Sequence, residues 1–149
     1  MFAGRYDHAL DEKGRTMMPK KFRDRLFELG DRSVWITNAL GSPLHLDVRP
    51  NSLFRAYQDK VGQLKNDPTV VDFKLFYFGS AIEVELDAAG RILIPASFRS
   101  RCDLTDKVSF AGVDDQRFQL WHPVKLDVRF AEVAARAADV MAHLADLGV

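Results

Sequence analysis

The sequence predicts an α+β fold built from two pseudo-symmetric halves, about residues 1 to 80 and 81 to 149, that share one core. Three observations predict it: an internal repeat at a fixed offset of 76 residues, short strands of period 2 inside each copy, and helical apolar stripes between and after the copies. The repeat runs without gaps from His8–Leu26 onto Val84–Cys102. Leu10/Leu86, Asp11/Asp87, Gly14/Gly90, Arg15/Arg91, Pro19/Pro95, Phe22/Phe98, Arg23/Arg99 and Arg25/Arg101 coincide, and the apolar Met17-Met18 is matched by Leu93-Ile94. Each half alone is too small to bury its strands well, so a shared core is expected.

Taken in order, each copy reads as strand, tight turn, strand and short helix. Ile82, Val84 and Leu86 alternate with polar residues, and Ile92 and Ile94 repeat the pattern, as in a half-buried hairpin. The Asp-x-x-Gly between the arms makes the turn: Asp11 or Asp87 accepts hydrogen bonds from turn amides, and Gly14 or Gly90 supplies the positive φ. Pro19 and Pro95 stop the second strand and suit the first turn of a helix, whose Phe22 or Phe98 faces the core. Further strands are expected at residues 33 to 37, 44 to 48, 108 to 111 and 118 to 121.

Between the copies two helices are expected. One covers residues 52 to 64, with Leu53, Tyr57, Val61 and Leu64 on one stripe, and the other covers 67 to 78, opened by Asp67 and Pro68. After the second copy, Leu126, Phe130, Val133, Ala137, Val140, Leu144 and Leu147 are spaced alternately four and three apart, which predicts one long amphipathic helix.

Composition narrows the function. Hydrophobic residues make up 47% and charged residues 28% of the 149, as in a folded globular chain. Residues 1 to 15 contain no apolar signal region and no later run reaches membrane-spanning length, so a cytoplasmic protein is expected. Cys102 is the single cysteine, and His8, His45, His122 and His143 lack ligand spacing, so no metal and no cofactor is expected. No phosphate loop, nucleophile elbow or H-E-x-x-H occurs, and no catalytic residue is assigned.

Net charge is zero, which weighs against nucleic acid, but its distribution is uneven. Residues 1 to 25 carry seven Lys/Arg against four acids, whereas residues 103 to 149 carry five against eight. The basic end is the N-terminal one.

The repeated unit resembles the SpoVT-AbrB swapped-hairpin domain. Two copies in a chain of this length are similar to the MraZ family, on Asp11-Glu-Lys-Gly-Arg15 with Pro19 and Phe22-Arg23, and on Asp87-Ala-Ala-Gly-Arg91 with Pro95 and Phe98-Arg99. The resemblance implies two AbrB-like domains, 5–52 and 81–124, intertwined into a β-barrel-like core, with a helical connector 53–80 and a C-terminal helix 125–149. It also implies a ring-shaped homo-oligomer that binds double-stranded DNA at promoter direct repeats of the division and cell-wall gene cluster, in the cytoplasm and nucleoid. Neither a membrane nor a small-molecule substrate is expected as a partner.

On that reading Arg15, Lys13, Arg91, Arg5 and Lys20 are the candidate DNA contacts, and Asp11, Gly14, Asp87 and Gly90 the turn-stabilising residues. A guanidinium on a hairpin tip can bond phosphates or take a guanine edge bidentately. The residues leave an alternative open: Arg15 and Arg91 could serve to staple their turns to Asp11 and Asp87. The second turn, with Ala88 and Ala89 in place of Glu12 and Lys13, is read as partly structural. Arg23, Arg25, Arg99 and Arg101 are read as structure or secondary DNA contacts. Ring contacts are expected from Phe130, Val133 and Leu144 or from the segment around Phe2, the alternative being that the C-terminal helix packs on its own sheet. A ring or scaffold without DNA binding is the competing function.

Overall fold

The alternation read from the sequence becomes a sheet with two different faces in the computed structural model, which describes residues 1 to 149. In chain order the elements are β1 (Arg5–Ala9), β2 (Arg15–Met17), α1 (Lys20–Glu28), β3 (Ser33–Asn38), β4 (Leu46–Pro50), α2 (Asn51–Gly62) and α3 (Pro68–Tyr77). They continue with β5 (Ile82–Glu85), β6 (Arg91–Leu93), α4 (Ala96–Arg101), β7 (Lys107–Gly112), β8 (Phe118–Trp121), α5 (Pro123–Ala135) and α6 (Ala137–Asp146). Six strands form one antiparallel sheet in the order β1-β7-β8-β4-β3-β5, and β2 and β6 pair separately as a two-stranded ribbon.

One sheet face buries Val34, Ile36, Leu46, Val48, Val108, Phe110, Phe118 and Leu120 against Phe22 and Leu26 of α1, Phe98 of α4 and Ile92 of the ribbon. Phe22 sits near the centre of this core, with ring centroids 4.8 Å from Phe118, 5.2 Å from Phe2 and 5.5 Å from Tyr6. Burying a side chain of that size contributes about 2–3 kcal/mol. The opposite face carries α2 and α3 over β3 and β4, where Trp35 stacks on Phe54 at 4.6 Å, and α5 over β7 and β8, where Leu126 packs with Ala111 and Trp121. Strands β3 and β4 are therefore covered on both faces.

The first four helices start close to where the sequence places them. Pro19 and Pro95 stand at the N-caps of α1 and α4, one position before the first turn, and Asp67 caps α3 by accepting from the Val70 amide at 2.9 Å. In α2 the buried residues are Phe54 and Val61, whereas Leu64 stays exposed; the core stripe is rotated from the one read in the sequence.

Four expectations are corrected. The arms of each Asp-x-x-Gly turn do not pair as a hairpin: β1 joins β7 and β5 joins β3, while β2 and β6 pair with each other. A single Leu10–Thr16 bridge is what remains between the arms of the first turn. No closed barrel forms, because the sheet ends at β1 on one side and β5 on the other, and the ribbon lies outside it. The last helix is broken. Arg136 (φ −115°, ψ 30°) separates α5 from α6, its amide bonding back to Val133 at 3.2 Å in a tighter three-residue turn. Leu126 docks the start of α5 on the sheet, whereas no residue of α6 is buried. Phe2, expected near an assembly surface, is instead a core residue at 1% exposure.

Candidate nucleic-acid interface

The two repeated turns are built alike, atom for atom. In the first, one Asp11 oxygen accepts from the amides of Lys13 at 3.0 Å and Arg15 at 2.8 Å, and the other accepts from Arg15 Nε at 2.7 Å. In the second, Asp87 accepts from the amides of Ala89 and Arg91, both at 2.9 Å, and from Arg91 Nε at 2.8 Å. Amide donors, together with the guanidinium, hold both carboxyls below the usual carboxylate range. Gly14 and Gly90 adopt φ of +91° and +87°, the left-handed region that favours glycine.

Each arginine uses only its Nε for this staple. The terminal amino groups of Arg15 and Arg91 have no acceptor within the chain, and both side chains keep 37% exposure. The staple thus orients a guanidinium without consuming its two outward nitrogens, so the structural and the ligand-binding readings of these residues are compatible.

The ribbon brings the two turns together. Its register pairs Arg15 with Leu93, Thr16 with Ile92 and Met17 with Arg91. Residues alternate across a strand, so Thr16 and Ile92, each 1% exposed, face the core while Arg15, Met17, Arg91 and Leu93 share the outer face. Two arginines occupy diagonal corners, about 7–8 Å apart at the backbone. Met17 and Leu93, at 38% and 46% exposure, fill the other corners.

The remaining candidates fall in different places. Lys13 is exposed on the first turn, and its ammonium has no partner within the chain. Lys20 opens α1 just after the ribbon and pairs with Asp24 at 2.9 Å, remaining 77% exposed on a surface that also presents Lys21. Arg5 is not with them. It begins β1, at the end away from the turn, and its guanidinium bonds Asp7, Asp127 and the Pro123 carbonyl, tying α5 to the sheet. Its charge is occupied by structure.

Arg23 and Arg99 have a role that the sequence did not reveal. Arg99 Nε donates to the Ile94 carbonyl at 3.0 Å, and a Cβ added to Gly14 would lie 2.5 Å from that Nε. Arg23 Nε donates to the Met18 carbonyl at 3.0 Å and packs likewise over Gly90. Each copy's helix arginine thus closes over the other copy's turn. Recurrence marked both residues, but their partners are glycines of the other copy, Gly90 for Arg23 and Gly14 for Arg99, and no spacing signals that.

The comparisons with known proteins point to one family. Residues 77–144 match the family model of the MraZ protein. A transcriptional regulator MraZ of Pediococcus pentosaceus is 32% identical across 100% of both chains. One of Lactiplantibacillus plantarum is 33% identical over 98% of this chain and 99% of its own length, and one of Thermoanaerobacter pseudethanolicus is 35% identical over 90% and 94%. With full-length relatives at this identity, and with the repeated turns and their register in place, the chain belongs to the MraZ family.

Proposed function

We propose that the protein is a DNA-binding transcription regulator that grips double-stranded DNA with the outer face of the β2–β6 ribbon and its two Asp-x-x-x-Arg turns. The observation that carries this reading is the pair of guanidiniums fixed by their Nε atoms at diagonal corners of one exposed ribbon, with outward nitrogens unused. A two-stranded ribbon fits a major groove, and a guanidinium can take guanine O6 and N7 bidentately or bond a phosphate. Lys13 and Lys20 add phosphate contacts. Arg91 contributes less than Arg15, because its turn lacks a lysine.

The ribbon register supports a pseudo-symmetric, swapped arrangement of the two copies, since every pair in it exchanges equivalent positions: Arg15–Leu93 maps onto Arg91–Met17. On this reading the AbrB-like units are 5–52 and 81–124, joined by the connector 53–80 and followed by the C-terminal segment 125–149. The subunits form a closed homo-oligomeric ring that sets several ribbons along successive promoter direct repeats of the division and cell-wall gene cluster, in the nucleoid. Linked sites raise avidity far beyond one weak tip. This function involves no catalysis, cofactor or membrane.

The test is retardation of the protein's own upstream DNA in the presence of excess unrelated DNA. The expected outcome is a specific complex whose affinity falls steeply between 50 and 200 mM salt, by orders of magnitude if six or more phosphates are contacted across the ring. Equal affinity for both DNAs, or none for either, would refute it.

A further inference from the structure

The sheet face turned away from the ribbon carries a buried polar network that DNA binding does not use. On β4, Leu46 and Val48 point into the core, and the alternate residues Asp47 and Arg49 point to the α2–α3 side. Asp47 is 1% exposed and accepts from Arg117 Nη1, Gln119 Nε2 and the Tyr77 hydroxyl, each at 2.9 Å. Arg49 is 5% exposed; its Nε donates to the Tyr77 hydroxyl at 2.8 Å, and its guanidinium lies 3.9 Å over the Tyr57 ring.

The network is short of negative charge. Arg49 has no carboxylate partner in the chain, and its two terminal amino groups have no acceptor. Tyr77 cannot supply the charge, because burial keeps it a neutral phenol far above neutral pH. Asp47 is already paired with Arg117, whose buried Nε lacks a hydrogen bond and lies 3.9 Å from Asp114. A buried cation without a counter-charge is costly, and a bound anion relieves that cost. Beside it opens a pocket of about 360 Å³ lined by Arg49, Tyr57, Lys60, Asp114, Gln116 and Arg117. Counting Asp47 behind it, three cations face two carboxylates.

We propose that this pocket is a binding site for a small phosphate-class anion, free or carried on a metabolite, held by the Arg49 and Arg117 guanidiniums with Lys60 at the mouth. Two guanidiniums and an ammonium converging on one space match the charge and the several acceptor oxygens of a phosphoryl group. The volume is within the range of small-ligand sites. The sheet separates this pocket from the ribbon, so the site is independent of the DNA reading.

Titration calorimetry and thermal unfolding of the full chain with sodium pyrophosphate, against sodium chloride at matched ionic strength, test it. Binding above the chloride control is expected, with a raised melting temperature. Lys60→Glu and Gln116→Glu, both at exposed positions, should each weaken it about tenfold or more, with Lys60→Gln intermediate. Arg15→Ala should bind pyrophosphate as the wild type does. No binding above the control, undiminished binding by both glutamate variants, or loss of binding in Arg15→Ala would each overturn the proposal, the last by placing the anion at the turns.

Discussion

At the scale of single residues, the repeated turn joins two tasks in one side chain. Arg15 closes the turn through Nε and offers its other nitrogens outward, and Asp11 makes that possible by accepting from two amides and the guanidinium at once. The Asp, Gly and Arg of this device were legible in the sequence because turn chemistry restricts residue type: an acceptor beside exposed amides, and a glycine at positive φ. The over-closing Arg23 and Arg99 were not, since their partners lie in the other copy. Because Asp11 and Asp87 have lowered folded-state values, their contribution to stability is present above the ordinary carboxylate value of 3.8 and is lost as pH falls through the lowered one. Asp11→Asn should therefore lower the melting temperature near neutrality, and the gap to wild type should close below about pH 4. A gap unchanged from pH 7 to pH 3, measured by circular dichroism, would contradict the assigned role of the carboxylate charge.

Among the elements, strand positions were readable and strand partners were not. Period-2 alternation says that a strand is half buried, but it does not say which neighbour it pairs with; hence the strands around each turn were expected to pair together, whereas they diverge into the sheet and the ribbon. The same limit explains the final helix. A stripe spaced four and three apart records an apolar face without guaranteeing a continuous backbone, and the chain breaks at Arg136, well beyond Leu126, the one buried residue of α5. Beyond that break Met141 and Leu147 are 64% and 66% exposed, and Val140 and Leu144 are covered only in part. Assembly of the proposed ring would cover this stripe and the neighbouring Phe130. Light scattering at micromolar concentration should give a mass several times 16.9 kDa for the wild type and a smaller one for Leu144→Glu, with unfolding temperature little changed because α6 buries nothing in the monomer. A monomeric wild type would refute the assembly.

For the whole molecule, the α+β class and the shared core followed from the offset of 76 residues and from halves too short to fold separately. The core draws on both copies, joining Phe22 and Ile36 of the first with Ile92 and Phe118 of the second. That interleaving sets the two turns on one ribbon, where the terminal nitrogens of Arg15 and Arg91 and the Lys13 ammonium face outward without partners in the chain. The central claim is that this ribbon binds DNA through Arg15. The most direct measurement is the affinity of Arg15→Ala for the protein's own upstream DNA, with unfolding temperature and oligomer mass taken on the same preparation. Each lost tip contact is worth about 1–3 kcal/mol and recurs in every subunit engaged, so specific binding should disappear while mass and fold are retained. Wild-type affinity in the variant, or a loss of affinity that only follows the fraction unfolded, would contradict the account and leave Arg15 as a staple of its turn.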